Sequence, residues 1–157
     1  HVARKYGSSK ADSDRARENI TQAGAQYGFK FNYVDGMKIV NTLDAHILLD
    51  YAHQLGLQTA LKMRLFSAFF TENKDVSDRN ILIQEAETVG ISAQQSQTAF
   101  ADEENKSRIK ARIAQWQKMG VSGVPTVVFN QTSALTGAQP QATFKQVLLE
   151  LAESLPK

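Results

Sequence analysis

Gly120-Val121-Ser122-Gly123-Val124-Pro125-Thr126-Val127-Val128-Phe129-Asn130 is the stretch on which the fold turns. Gly120 stops a helix read over about 102–119, and Pro125 then opens a β-branched and aromatic run from Thr126 to Phe129. Val127-Val128-Phe129 is apolar on both faces, as in a strand covered on both sides. Asn130 to Ser133 is turn-like, and Ala134 to Thr136 can return as a second strand. Gly137-Ala138-Gln139-Pro140 then leads into a last helix. Pro140 suits its first turn, and Phe144, Val147, Leu148, Leu151 and Leu155 make its expected buried face. A lone two-stranded hairpin is marginal in water. A doubly apolar strand wants neighbours on both edges. One neighbour is 134–136. Another stretch, Phe29–Val34, alternates with period two and reads as extended. The remaining partners are expected upstream of His1 or from another molecule.

Working back from this strand, the chain reads as helices. The first covers 9–28, starting at Ser9 or Lys10 and closed by Gly28, where a left-handed turn suits glycine. A second, 42–55, has Asn41 as its cap and Asp44 completing an approximate capping box. Its Leu43, Ile47, Leu48, Tyr51, Ala52 and Leu55 fall on one side. The third, 58–71, carries Leu61, Leu65, Phe66, Ala68, Phe69 and Phe70 on a wide face that must be buried. Ser77 is expected to cap a helix running to Gly90, and Ser92 a shorter one to about Ala101. Ile109, Ile113 and Trp116 form the stripe of the helix before Gly120.

The 157 residues suffice for one compact domain. Hydrophobic residues at 42% and charged residues at 22% are ordinary for a globular chain. A net charge of +2 makes no field that argues for nucleic acid. Lys106, Arg108, Lys110 and Arg112 read as a solvated helix face. The apolar runs are too short to cross a membrane, so no membrane partner is expected. There is no cysteine, which excludes disulfides, thiolate metal sites and cysteine nucleophiles within this chain.

The loop from Gly120 to Asn130 resembles the cis-proline loop of the DsbA family. Gly137-Ala138-Gln139-Pro140 with Phe144 resembles the final strand-to-helix junction of its FrnE-like branch. Lys5-Tyr6-Gly7-Ser8-Ser9, Asn41-Thr42-Leu43-Asp44-Ala45-His46 and Asp75-Val76-Ser77-Asp78 resemble that branch too. The resemblance implies an α/β thioredoxin-like fold with a large helical insertion. In this chain that is mostly helix, with a C-terminal β-hairpin and helix. Residues 1–120 would be the insertion, with 29–34 extended, and 121–157 the C-terminal β-β-α part.

The resemblance also implies a thiol–disulfide oxidoreductase. Its first strand, Cys-x-x-Cys helix and second strand would precede this chain, about fifty residues in all. Pro125 would be the cis-proline set against the dithiol. Gly123, Val124 and Thr126 would line the substrate groove beside it. The N–H and C=O of Val124 would pair with an extended substrate as an added strand. His46 and Asn41 would face the reactive half. Partners would be proteins bearing dithiols or disulfides, with no resident cofactor, in the cytoplasm. A homo-oligomer or a domain swap would cover the truncated face. The related hydroxychromene-carboxylate isomerases offer an alternative, with a serine in place of the nucleophile and bound glutathione. A non-catalytic peptide-binding module is the third reading.

Two further groups merit notice. His46, Asp50 and His53 are spaced i, i+4, i+7, so two imidazoles and a carboxylate share one helix side. Such a set suits zinc, but a solvated polar face is the plainer reading, and no metal is expected. Phe66, Phe69, Phe70 and Trp116 read as core before they read as a substrate groove. If exposed, they would favour self-association. No glycine-rich phosphate loop and no Gly-x-Ser-x-Gly nucleophile turn is present.

Overall fold

The structure, a computed structural model, describes residues 10–153. Ser9 as a helix start, Lys5–Ser9 and Leu155 lie outside these residues. The elements are α1 (Lys10–Gln26), α2 (Leu43–Gln54), α3 (Gln58–Phe66), a π-helical turn (Ser67–Thr71), α4 (Arg79–Glu87) and α5 (Ala93–Ala101). Then come α6 (Glu103–Lys118), β1 (Thr126–Phe129), β2 (Ser133–Thr136) and α7 (Gln141–Glu153). The chain divides into two compact units, His1–Ile109 and Lys110–Lys157.

The first unit holds the core. Ile47, Leu48 and Ala52 of α2 meet Leu61 and Leu65 of α3, Leu82 and Ala86 of α4, and Ala99 and Phe100 of α5. These positions recur at helical spacing, so each helix turns one apolar side inward. Each fully buried leucine or isoleucine contributes roughly 1.5–3 kcal/mol over its exposed state.

The caps differ in part from expectation. Thr42, not Asn41, stands at the N-cap of α2 and makes no side-chain cap hydrogen bond, while Asn41 one residue earlier accepts the Leu43 N–H at 3.0 Å. Asp44 completes no capping box, because its carboxylate is drawn to Arg79 Nε at 2.7 Å. Asp78, not Ser77, caps α4 and accepts the Asn80 N–H at 2.8 Å. Ser77 is already taken by Asp75, whose Oδ1 accepts its N–H at 2.9 Å and its hydroxyl at 2.5 Å. That Asx turn moves the helix start one residue on. Ser92 makes the expected start of α5, as a full capping box with Gln95.

The expected helix 58–71 is not uniform, since its last five residues widen into the π-helical turn. The wider turn buries Ala68 while Phe69 and Phe70 reach an aromatic cluster. Phe66, expected in the core, is 44% exposed, because it follows the buried Leu65 and faces away.

Phe29–Val34 forms no strand among the described residues. Its polar groups go to the end of the π-helical turn. The Asn32 N–H donates to Phe70 O at 2.8 Å, and the Thr71 hydroxyl donates to Lys30 O at 2.5 Å. The period-two pattern is still physical. Phe29, Phe31 and Tyr33 are half-buried, and Lys30, Asn32 and Val34 are exposed. Phe29 meets Phe31 edge to face at 4.7 Å between centroids, Phe31 stacks on Tyr33 at 5.7 Å, and Phe31 meets Phe70 at 5.3 Å.

In the second unit β1 and β2 pair antiparallel, with Val127 opposite Leu135. Asn130 and Gln131 both take positive φ, 48° and 60°, as a tight hairpin turn requires. The sheet has these two strands among the described residues, and no side chain of β1 is buried. The expected cover on both faces of Val127–Phe129 is therefore not supplied by residues 10–153. The same holds for the helices. Leu148, expected to be buried, is 56% exposed, and Ile113 and Trp116 are 39% and 38% exposed. Phe144 is the residue of α7 that approaches β1, its ring 6.5 Å from that of Phe129.

Candidate functional site

The loop before β1 is built from both ends. At its start α6 closes with Gly120 at φ +90°. The Val121 N–H donates to Trp116 O at 3.1 Å and the Gly120 N–H to Gln117 O at 3.1 Å. This is how a helix ends on a left-handed glycine. At its far end the Pro125 carbonyl accepts the Gly137 N–H at 2.8 Å. Between them the Thr126 hydroxyl donates to Gly123 O at 2.7 Å. The Val124–Pro125 peptide is cis.

Val124 is 91% exposed. Among the described residues neither its N–H nor its C=O has a hydrogen-bond partner. Antiparallel pairs alternate in the direction of their polar groups. With Pro125 bonded to Gly137, the same parity turns Val127 and Phe129 toward β2. The N–H and C=O of Thr126 and Val128 then face the other edge of β1, which is open among the described residues. An extended polypeptide can use such groups as strand partners.

No charged residue lies between Lys118 and Lys145. The loop and hairpin therefore offer main-chain groups and apolar surface and no charged side chain. Gly123, Val124, Pro125 and Thr126 are thus one contiguous feature of the second unit.

The other expected residues lie in the first unit. Asn41 is engaged just before α2, its Oδ1 accepting the Leu43 N–H. His46 is exposed in the first turn of α2 and His53 in the last. Asp50 accepts a hydrogen bond from Arg108 Nη2 at 2.8 Å. Among the described residues no group of three His, Asp or Glu could hold a metal ion. Lys106 and Arg108 of the basic helix face pair with Glu103 and Asp50. No helix of the described residues is long and apolar enough to cross a membrane.

Two features escaped the sequence. One is Gly137 as the partner of Pro125, whose signal was its place at the strand-to-helix junction. The other is an ion network in the first unit, formed by Arg64, Glu72, Lys74 and Glu85. It joins residues up to 21 apart and has no local signature.

The DSBA-like thioredoxin domain family matches residues 3–149, and the chain belongs to that family. Its structure is similar to that of a probable DsbA oxidoreductase from Streptomyces coelicolor, at a TM-score of 0.84 and 24% identity. That match covers 99% of this chain and 67% of the other. It is also similar to a protein from Nitrosomonas europaea provisionally named a protein disulfide isomerase, at a TM-score of 0.75 and 20% identity. That match covers 95% of this chain and 78% of the other. These likenesses establish a DsbA-like thioredoxin fold. No curated protein matches the chain.

Proposed function

We propose that this chain is the substrate-aligning part of a thiol–disulfide oxidoreductase of the FrnE-like branch, whose dithiol lies in a segment upstream of His1. The observation that carries the reading is Val124, exposed with both its main-chain groups unpaired at the head of an open strand edge. In the whole protein a cysteine thiolate of that segment would attack a substrate disulfide, breaking the S–S bond and forming a mixed disulfide. The second cysteine would then attack the mixed disulfide, releasing the substrate as a dithiol and leaving the protein oxidised. Val124 would hold the substrate by donating its N–H and accepting at its C=O, with Gly123, Pro125 and Thr126 forming the rest of the groove wall. The reading needs no resident cofactor. A cytoplasmic location is proposed with it, from the family resemblance.

The test is reduction of insulin disulfides by the natural full-length protein. Precipitation of the freed B chain is expected, and it should slow in a Val124→Pro variant. A Ser in place of Cys-x-x-Cys upstream of His1 would move the assignment to the glutathione-dependent isomerases. An intact dithiol without activity would leave a peptide-binding module.

A further inference from the structure

The loop between Val121 and Thr126 has little to hold it. A Cβ added at Gly123 would meet nothing within 4 Å, and Gly123 does not take a left-handed φ. Val124 is exposed and packs on nothing that fixes it. The tie that reaches into this span is the Thr126 hydroxyl, 2.7 Å from Gly123 O. Thr126 is itself the first residue of β1 and half-buried, paired opposite Thr136. Just beyond the free peptide, Gly137 fixes the carbonyl of Pro125. The two ties occupy the carbonyls of Gly123 and Pro125, so between them the main-chain groups left for a ligand are the N–H and C=O of Val124.

We propose that Thr126 is a positioning residue: through Gly123 its hydroxyl sets the direction in which Val124 presents its N–H and C=O to an extended polypeptide. The inference rests on reading this loop as the substrate groove. It gives the Thr126 hydroxyl a role on the loop, distinct from the main-chain groups that Thr126 offers at the strand edge. A threonine suits the position for two reasons. Its β-branched body favours the strand, and its hydroxyl returns to a carbonyl three residues back. Valine keeps the first property and loses the second.

The experiment uses the natural full-length protein labelled with 15N, with reduced and alkylated insulin B chain as the peptide. Native protein, Thr126→Val, Thr126→Ser and Thr126→Ala are compared. The Val124 amide is expected to shift on titration with peptide. In Thr126→Val and Thr126→Ala the free protein should show a displaced and more mobile Val124 amide, and peptide affinity should fall about fivefold, the worth of one ordinary hydrogen bond. Thr126→Ser should restore both. Signals from β2 and α7, in the same unit, should stay in place, which separates a local effect from unfolding. Native protein and Thr126→Val with equal Val124 order and equal affinity would overturn the inference and leave the groove reading intact. A native chain that gives no shift with peptide would overturn the groove reading and the inference together.

Discussion

Glu85, 2% exposed, sets its Oε1 2.7 Å from Nζ of Lys74. Its Oε2 accepts from Arg64 Nε. Arg64 also holds Glu72 through both terminal nitrogens, at 2.5 and 2.7 Å, and Lys74 Nζ reaches Glu72 at 2.8 Å. Two cations and two carboxylates close on themselves. They join α3, the residue after the π-helical turn, and α4. A buried carboxylate is tolerable only when paired in this way.

Replacing Glu85 by alanine should therefore cost more than replacing Glu72, although both are glutamates in the same network. Glu85→Ala leaves two cations beside a cavity. We expect a loss of about 2–3 kcal/mol, less than for a fully buried pair because Arg64 and Lys74 keep Glu72 and some access to water. Glu72→Ala should cost about 1 kcal/mol or less. Urea unfolding at neutral pH checks the order. A Glu72 variant less stable than the Glu85 variant would show that burial is not what matters here.

Acid should weaken the first unit in a defined window. Hydrogen bonds from Arg64, and then from Lys74, hold the Glu72 carboxyl down to about 2, from 4.5 for a free glutamate. Burial pushes Glu85 up, but Arg64 and Lys74 together outweigh it and the net shift is downward. A depressed folded-state value means that the unfolded chain binds protons first as pH falls. The stabilisation is present above about pH 4.5 and is lost as pH falls toward 2. Thermal midpoints between pH 6 and 2 should show this slope, and Arg64→Leu should flatten it.

Gly24 sits where α1 meets the aromatic stretch. A Cβ there would lie 2.6 Å from two ring carbons of Phe31 and 3.0 Å from Phe29 O. Alanine is the better helix former by roughly 1 kcal/mol. Overpacking of about 1–3 kcal/mol should override that gain. Gly24→Ala is expected to destabilise, and Gly24→Ala with Phe31→Leu to recover most of the loss. A stabilised single variant would mean that α1 is not seated on Phe31.

Gly123 and Gly137 make a controlled pair around the loop. Gly123 needs neither space nor a left-handed φ, so Gly123→Ala should leave stability unchanged or raise it by about 0.4–1 kcal/mol. Gly137 has φ +83°, so Gly137→Ala should cost about 1–2 kcal/mol and loosen the Pro125 carbonyl. Chemical denaturation of both variants, with the Pro125–Thr126 region followed by NMR, checks the contrast.

The helical part was legible because it is local. Leu48, Leu61, Leu82 and Ala99 carry their burial in i, i+3, i+4 spacing, and Ser92 with Gln95 announces a helix start within four residues. Errors came where another partner, near or distant in sequence, took the expected capping residue. Asp75 captured Ser77 and displaced the cap, and Arg79 captured Asp44 from 35 residues away. Phe29–Val34 had the alternation of a strand, but alternation records which side is covered and not what covers it. Here the cover is Phe70 and Gly24, not a ladder. The span of the candidate loop, Gly123 to Thr126, could be read directly. The ties from Thr126 and Gly137 could not, because they depend on hairpin register.

The π-helical turn at Ser67–Thr71 carries a consequence for chain length. The widened turn already holds one residue more than an ordinary helical turn, so a further residue added within 67–71 would swing everything after it by about 100°, the rotation of one helical residue. Phe70 would leave Phe31, and Glu72 would leave Arg64. The segment should therefore accept many changes of residue type while refusing a single insertion. Its information lies in the number of residues it spans.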